Sequence, residues 1–231
     1  MRDLRLGTVG AVCALLTVAG FAVGIVFMAT NGVQVLIPET GKEGAEWAAD
    51  VQDAGDWFVI GALIVALAGF AGLVALVGFY DVLKGAGPVM ILAPILGAVG
   101  LTLVTISHTV PIAIAQELAP DYSSNAATFD TFASACLWLN YVGNVLNWGV
   151  VTPLYALAIL KTGALPRWVA YVGLVAAFFA GWLGIFGPLW SPLEEISSIG
   201  FFAFFAFLLC MGITILRRRE ARPEAVPAAV S

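Results

Sequence analysis

From Leu6 to Ala29 the chain carries no charged residue, and five more apolar runs follow at about 57–81, 88–117, 130–160, 167–190 and 196–216. Each reaches the roughly 20 residues needed to cross the hydrocarbon core of a bilayer. No water is available there to satisfy backbone N–H and C=O groups, so a span of this kind folds as a helix. The sequence therefore predicts an all-α fold, a polytopic membrane bundle of six transmembrane helices. The first run is too long for a secretory signal, whose apolar region spans about 7–15 residues, and it is read as a permanent helix. One domain covers 1–216, and 217–231 is expected to be a basic, disordered cytoplasmic tail. Only 11% of the residues are charged and the mean hydropathy is +0.99, far from the roughly 25% charged residues of soluble domains.

Orientation follows from the basic residues. In a six-pass alternation Arg2, Arg5, Lys84, Lys161, Arg167, Arg217, Arg218, Arg219 and Arg222 fall on one side and only Lys42 on the other. The positive-inside rule then places both termini in the cytoplasm of a multi-pass cell-membrane protein. The acidic residues show the reverse bias, Glu117, Asp121, Asp130, Glu194 and Glu195 being external. A net charge of −5 and the lack of a basic stripe exclude nucleic acid as a partner and leave membrane lipids.

The first external loop, Asn31 to Asp56, is the long one. Glu39, Glu43, Glu46, Asp50 and Asp53 recur at intervals of four and three, while Trp47, Ala48 and Val51 point the other way. This predicts a short amphipathic helix at the outer surface with Trp47 turned inward. The acidic face is a solvated face, since calcium-loop spacing is absent.

Polar residues inside the spans mark where a site can lie. In LWLNYVGNVLNWGVVTPLY, Leu137 to Tyr155, the side chains of Asn140, Asn144 and Asn147 fall within about 60° of one another on a helical wheel. An amide without a partner in hydrocarbon costs about 4–8 kcal/mol, so the stripe faces helices, water or a ligand. Trp148 and Tyr155 flank it, and Pro153 frees the carbonyl of Gly149. The third span carries the only histidine, His108, on a polar face with Thr105, Thr109 and Gln116, Thr102 lying just beyond. Pro111 favours a kink beside it. With a rise of about 1.5 Å per residue, His108 and Asn140 come to similar depths on antiparallel neighbours. The candidate ligand-binding set is Thr105, His108, Asn140, Asn144, Asn147 and Trp148, around one cavity in the outer half of the bundle.

The connector from Tyr155 to Ala176, with Leu-Lys-Thr-Gly closing one helix and Ala-Leu-Pro-Arg-Trp opening the next, resembles that of a large uncharacterised bacterial family of six-helix integral membrane proteins, a domain of unknown function. The resemblance implies architecture and no functional residue.

Several chemistries are excluded. A single histidine rules out bis-histidine haem, the spacing of Cys13, Cys136 and Cys210 suggests no metal or disulfide framework, and no Gly-rich phosphate loop occurs. No metal and no cofactor are expected. The cysteines are read as packing residues, the aromatic residues of the last span as lipid contact and packing, and Asp81 as paired with Lys84. Three readings stay open. The cavity binds or passes a neutral polar or amphiphilic small molecule; or the bundle is an intramembrane enzyme acting on a lipid or isoprenoid, with His108 as acid or base assisted by Asp130 or Glu117; or the polar groups only hold helices together in a structural or accessory subunit.

Overall fold

The computed structural model describes residues 6–189 and 191–220, with side chains except at 187–199, 219 and 220. Arg2, Arg5, Trp190, Arg222 and the tail from 221 onward lie outside the described residues, as do the side chains of Glu194, Glu195 and Arg219.

Among the described residues every regular element is helical: α1 (Leu6–Thr30), α2 (Gly41–Ala54), α3 (Asp56–Leu83), α4 (Leu92–Ala113), α5 (Tyr122–Asn144), α6 (Thr152–Thr162), α7 (Arg167–Ala176) and α8 (Ser191–Glu220). Wider π-helical turns interrupt the sequence at Ile114–Leu118, Val145–Val151 and Ala177–Leu183. Five helical runs are long and apolar enough to cross a membrane: Leu6–Thr30, Asp56–Ala86, Pro88–Thr162, Arg167–Phe186 and Gly200–Arg218. The third holds 75 residues, about 110 Å if it were straight. It is not straight. It breaks at Ala119–Asp121, and α4 packs along α5 and the π-helical turn that follows.

Each long helix packs on its neighbours in chain order. α1 lies between α3 and α8, α3 between α1 and α4, α4 between α3 and the α5–α6 run, and α7 between α6 and α8. The contacts close into a ring.

The α1–α3 pair packs closely along its length. A methyl group added at Gly78 would overlap the backbone of Gly10, and one at Gly61 would run into Met28. Lipid tails are as apolar as the helix surface, so close packing, more than burial, holds such a pair together. Its end away from α2 continues into a core of Phe79, Tyr155, Ile159, Leu165 and Met211. There the Tyr155 hydroxyl donates to the Leu76 carbonyl at 2.7 Å, and the Tyr155 and Phe79 rings meet edge to face. At this same end Lys84 Nζ pairs with Asp81 Oδ1 at 2.8 Å. Gly163, at φ +60°, ends α6 in the left-handed turn that glycine adopts without strain.

At the opposite end α2 docks with Trp47, Ala48, Val51 and Ala54 buried and its acidic residues exposed. Trp47 Nε1 donates to the Val35 carbonyl at 2.9 Å, and its ring meets Phe58 of α3 and Phe129 of α5. The Asp130 carboxylate accepts from the N–H of Gly41 at 3.0 Å, the Tyr122 hydroxyl donates to the Gly41 carbonyl, and Gln52 donates to the Ala119 carbonyl. The helix thus rests on the bundle through fixed hydrogen bonds as well as through its apolar face.

α8 differs from the expected boundary. It continues through Arg217–Glu220, because Arg and Glu are good helix formers and a basic final turn complements the helix dipole.

Candidate functional site

The ring encloses a cavity of about 730 Å³, within the roughly 300–1,000 Å³ typical of small-molecule pockets. Each wall has its own chemistry. α4 and the α5–α6 run contribute His108, Asn140, Asn144 and Asn147; α8 contributes Phe201, Phe204, Phe205 and Phe207; and Phe79 with Tyr155 forms the floor. No Asp, Glu, Lys or Arg among the described residues lines it.

The asparagine wall is built on a distorted helix. At Val145–Val151 the turn widens to π geometry, and Thr152 Oγ1 donates to the Asn147 carbonyl at 2.8 Å. The Gly149 carbonyl, left without a helical N–H by Pro153, accepts from Trp182 Nε1 at 2.9 Å. A second π-helical turn, Ala177–Leu183, packs directly on the first, Gly181 lying against the backbone of Gly149. Such π-bulges recur at functional sites because they turn side chains to new directions. Here they flank the cavity.

Among the described residues the amides have no partners across the bundle. Asn144 Nδ2 donates to Asn140 Oδ1 at 3.2 Å within one helix. The Asn147 side chain is 3% exposed, sits over Gly100 of α4, and bonds to no described residue. Its amide nevertheless keeps accessible surface, since Thr105 Oγ1 is the only enclosed side-chain polar atom without a partner among the described residues. That surface belongs to the cavity wall.

His108 is held from behind. Its Nδ1 lies 2.6 Å from the Val104 carbonyl oxygen and 3.0 Å from Ser107 Oγ, while the Ser107 hydroxyl donates to the same carbonyl at 2.7 Å. A carbonyl only accepts, so Nδ1 carries the proton. In the neutral ring Nε2 is then a bare acceptor. The ring meets Phe21 edge to face at 6.1 Å.

Of the six candidate residues, the structure brings His108, Asn140, Asn144, Asn147 and Trp148 to one cavity. Thr105 is not among them; it points into the α3–α4 contact, where its hydroxyl meets Gly69. The polar face of the third span divides accordingly. Thr102 and Gln116 are exposed, and Thr109 bonds back to its own helix. Asp130 and Glu117 do not line the cavity, and Asp130 is engaged with α2.

The residues that sequence reasoning missed are the phenylalanines of α8. They were expected to face lipid and pack, yet Phe201, Phe202, Phe204, Phe205 and Phe207 all line the cavity. An aromatic ring suits lipid and an apolar pocket equally, so no pattern distinguished them. Trp138 is 59% and Phe202 71% exposed although both line the cavity. At these two residues, on α5 and α8, the lining of the cavity reaches the surface of the described bundle. No family model matches this chain, and neither the curated proteins nor the solved structures contain a match.

Proposed function

We propose that the chain is a six-pass cell-membrane protein, with both termini cytoplasmic, whose cavity binds or passes a neutral polar or amphiphilic small molecule. The break at Ala119–Asp121, with α4 packed along α5, supports reading the longest apolar run as two crossings, and the basic residues support the orientation. The observation that carries the binding reading is the cavity itself: aromatic walls, no described charged side chain, and uncharged polar side chains that include His108, Asn140, Asn144 and Asn147 on one side. Pockets for small molecules have this make-up, a mainly apolar lining with a few polar groups that fix orientation.

Two other readings have less support. If the asparagines and histidine served to fasten helices, their side chains would bond across the bundle; among the described residues none does. An enzyme using His108 with a carboxylate would need Asp130 or Glu117 at the cavity, and neither lines it.

The test is thermal unfolding of the purified chain, with mass spectrometry of whatever co-purifies. Asn144→Leu and His108→Phe are expected to leave the ligand-free unfolding temperature within the equivalent of about 1 kcal/mol, since neither removes a bond between helices, and to weaken stabilisation by the co-purified molecule. A large loss of stability in the absence of ligand, with no small molecule in the preparation, would favour the structural reading instead.

A further inference from the structure

The polar wall selects for a particular group. His108 Nδ1 is committed to the Val104 carbonyl, so the edge of the ring left for a ligand is the acceptor Nε2. It has no hydrogen-bond partner among the described residues and is not sealed off. The asparagine amides both donate and accept, so they can complete the bonding of almost any neutral group. His108 is less permissive. A ligand group placed against Nε2 must bring a proton, and a carbonyl, an ether or an ester oxygen placed there would meet a lone pair.

A second constraint is charge. Without a described carboxylate or ammonium group on the wall, an ionised ligand would lose its hydration with no counter-charge in return. The aromatic wall of α8 and the floor of Phe79 and Tyr155 accommodate an apolar body, and at the exposed Trp138 and Phe202 the lining reaches the apolar surface of the described bundle. A molecule already dissolved in the bilayer meets the cavity lining there.

From these features we infer that the ligand is an uncharged, membrane-soluble alcohol whose hydroxyl donates to His108 Nε2 while its apolar body lies against the α8 phenylalanines. The inference rests on the binding reading above and adds the identity of the polar end. It makes His108 a specificity residue: the asparagines hold the hydroxyl's oxygen, and the histidine demands its proton.

The experiment uses a matched pair of probes, farnesol and farnesyl methyl ether, which share a body and differ in the hydroxyl proton. Binding to the full chain in nanodiscs is measured by saturation with each probe. The alcohol is expected to bind about tenfold more tightly than the ether, the size of effect expected when a buried acceptor is left unpaired. His108→Phe, whose ring still meets Phe21, should erase the preference. Because the chain has one histidine, a nitrogen NMR spectrum of protein carrying isotope-labelled histidine reports the ring directly and needs no variant. It should show a protonated Nδ1 and a bare Nε2, and the Nε2 signal should move with farnesol and stay put with the ether. A proton on Nε2, or equal affinity for alcohol and ether, overturns the inference while the cavity reading stands. No saturable binding of either probe overturns both.

Discussion

The two sides of the ring are built on opposite principles. In α1 and α3 the glycines bring backbones together in regular helices, with Gly10 against Gly78 and Gly61 under Met28. Where the α5–α6 run meets α7, glycines again touch, Gly149 against Gly181, but both helices are π-distorted at the contact and a cavity opens beside them. The same device yields a solid seam in one place and a chamber in the other. What differs is the backbone: an undistorted helix keeps its small residues on one stripe, whereas a π turn inserts an extra residue and turns the following side chains inward.

The largest break expected is in the solid seam. At Gly78 any side chain meets the Gly10 backbone, which cannot swing aside as a flexible side chain would. Gly78→Val should cost about 3 kcal/mol or more by forcing α1 and α3 apart, read as a large fall in unfolding temperature in detergent. A variant that melts with the wild type would show that the seam contributes no more than the rest of the ring.

The second break compares two glycines across one contact. A methyl at Gly149 would lie 3.6 Å from Gly181 Cα, an ordinary distance, whereas a methyl at Gly181 would overlap the Gly149 backbone. Gly181→Ala should therefore cost about 1–3 kcal/mol and Gly149→Ala about 0.5 kcal/mol or less. Equal effects in the same unfolding assay would mean that the π-distorted helices do not approach as closely as described.

How far the sequence reached follows the same division. Helices, the inward face of α2 and the Asp81–Lys84 pair were legible because periodicity and hydropathy report them directly. So was the carbonyl freed by Pro153, although its partner Trp182 lies on another helix and no local rule names it. The fate of Thr105 was not legible. In a ring each helix has a neighbour on either side, and a polar face about 100° wide spans both the cavity and one of those contacts, so Thr105 went to Gly69 and His108 to the cavity. The π turns were equally hidden, as their signal is a local balance of backbone bonds more than a residue pattern.

Trp182 permits a finer cut at the chamber side. Trp182→Phe removes the donor to the Gly149 carbonyl and should cost about 1–3 kcal/mol, the penalty for an acceptor left bare. Pro153→Ala restores a backbone N–H within reach of that carbonyl, so in the double variant part of the loss should return. Additive effects in a double-mutant cycle would separate the two residues and leave the π turn without this account.

The smallest effect is expected where the two sides are joined from outside, by α2. Its Trp47 touches both Phe58 of α3 and Phe129 of α5, and Glu39 stands just before the helix. Loss of water around Glu39, followed by the charges of Glu43 and Glu46 and a side-chain hydrogen bond with Glu43, raises its carboxyl above the ordinary value. A raised carboxyl means that the docked state holds the proton more tightly than the unfolded chain, whose value is about 4.3. Stability then falls as pH rises from that value through the folded one, and above it the full penalty is present. Glu39→Gln removes the charge, so it should stabilise the fold at pH 7 by no more than about 0.5 kcal/mol, because Glu39 is only part-buried and nearby solvent screens its charge. The gain should disappear below about pH 4, where Glu39 is protonated in both states, and shrink at pH 7 in high salt as the charges are screened. A gain that persisted at acid pH would have to come from packing, and the acidic face would then have no electrostatic part in holding α2 across the two sides.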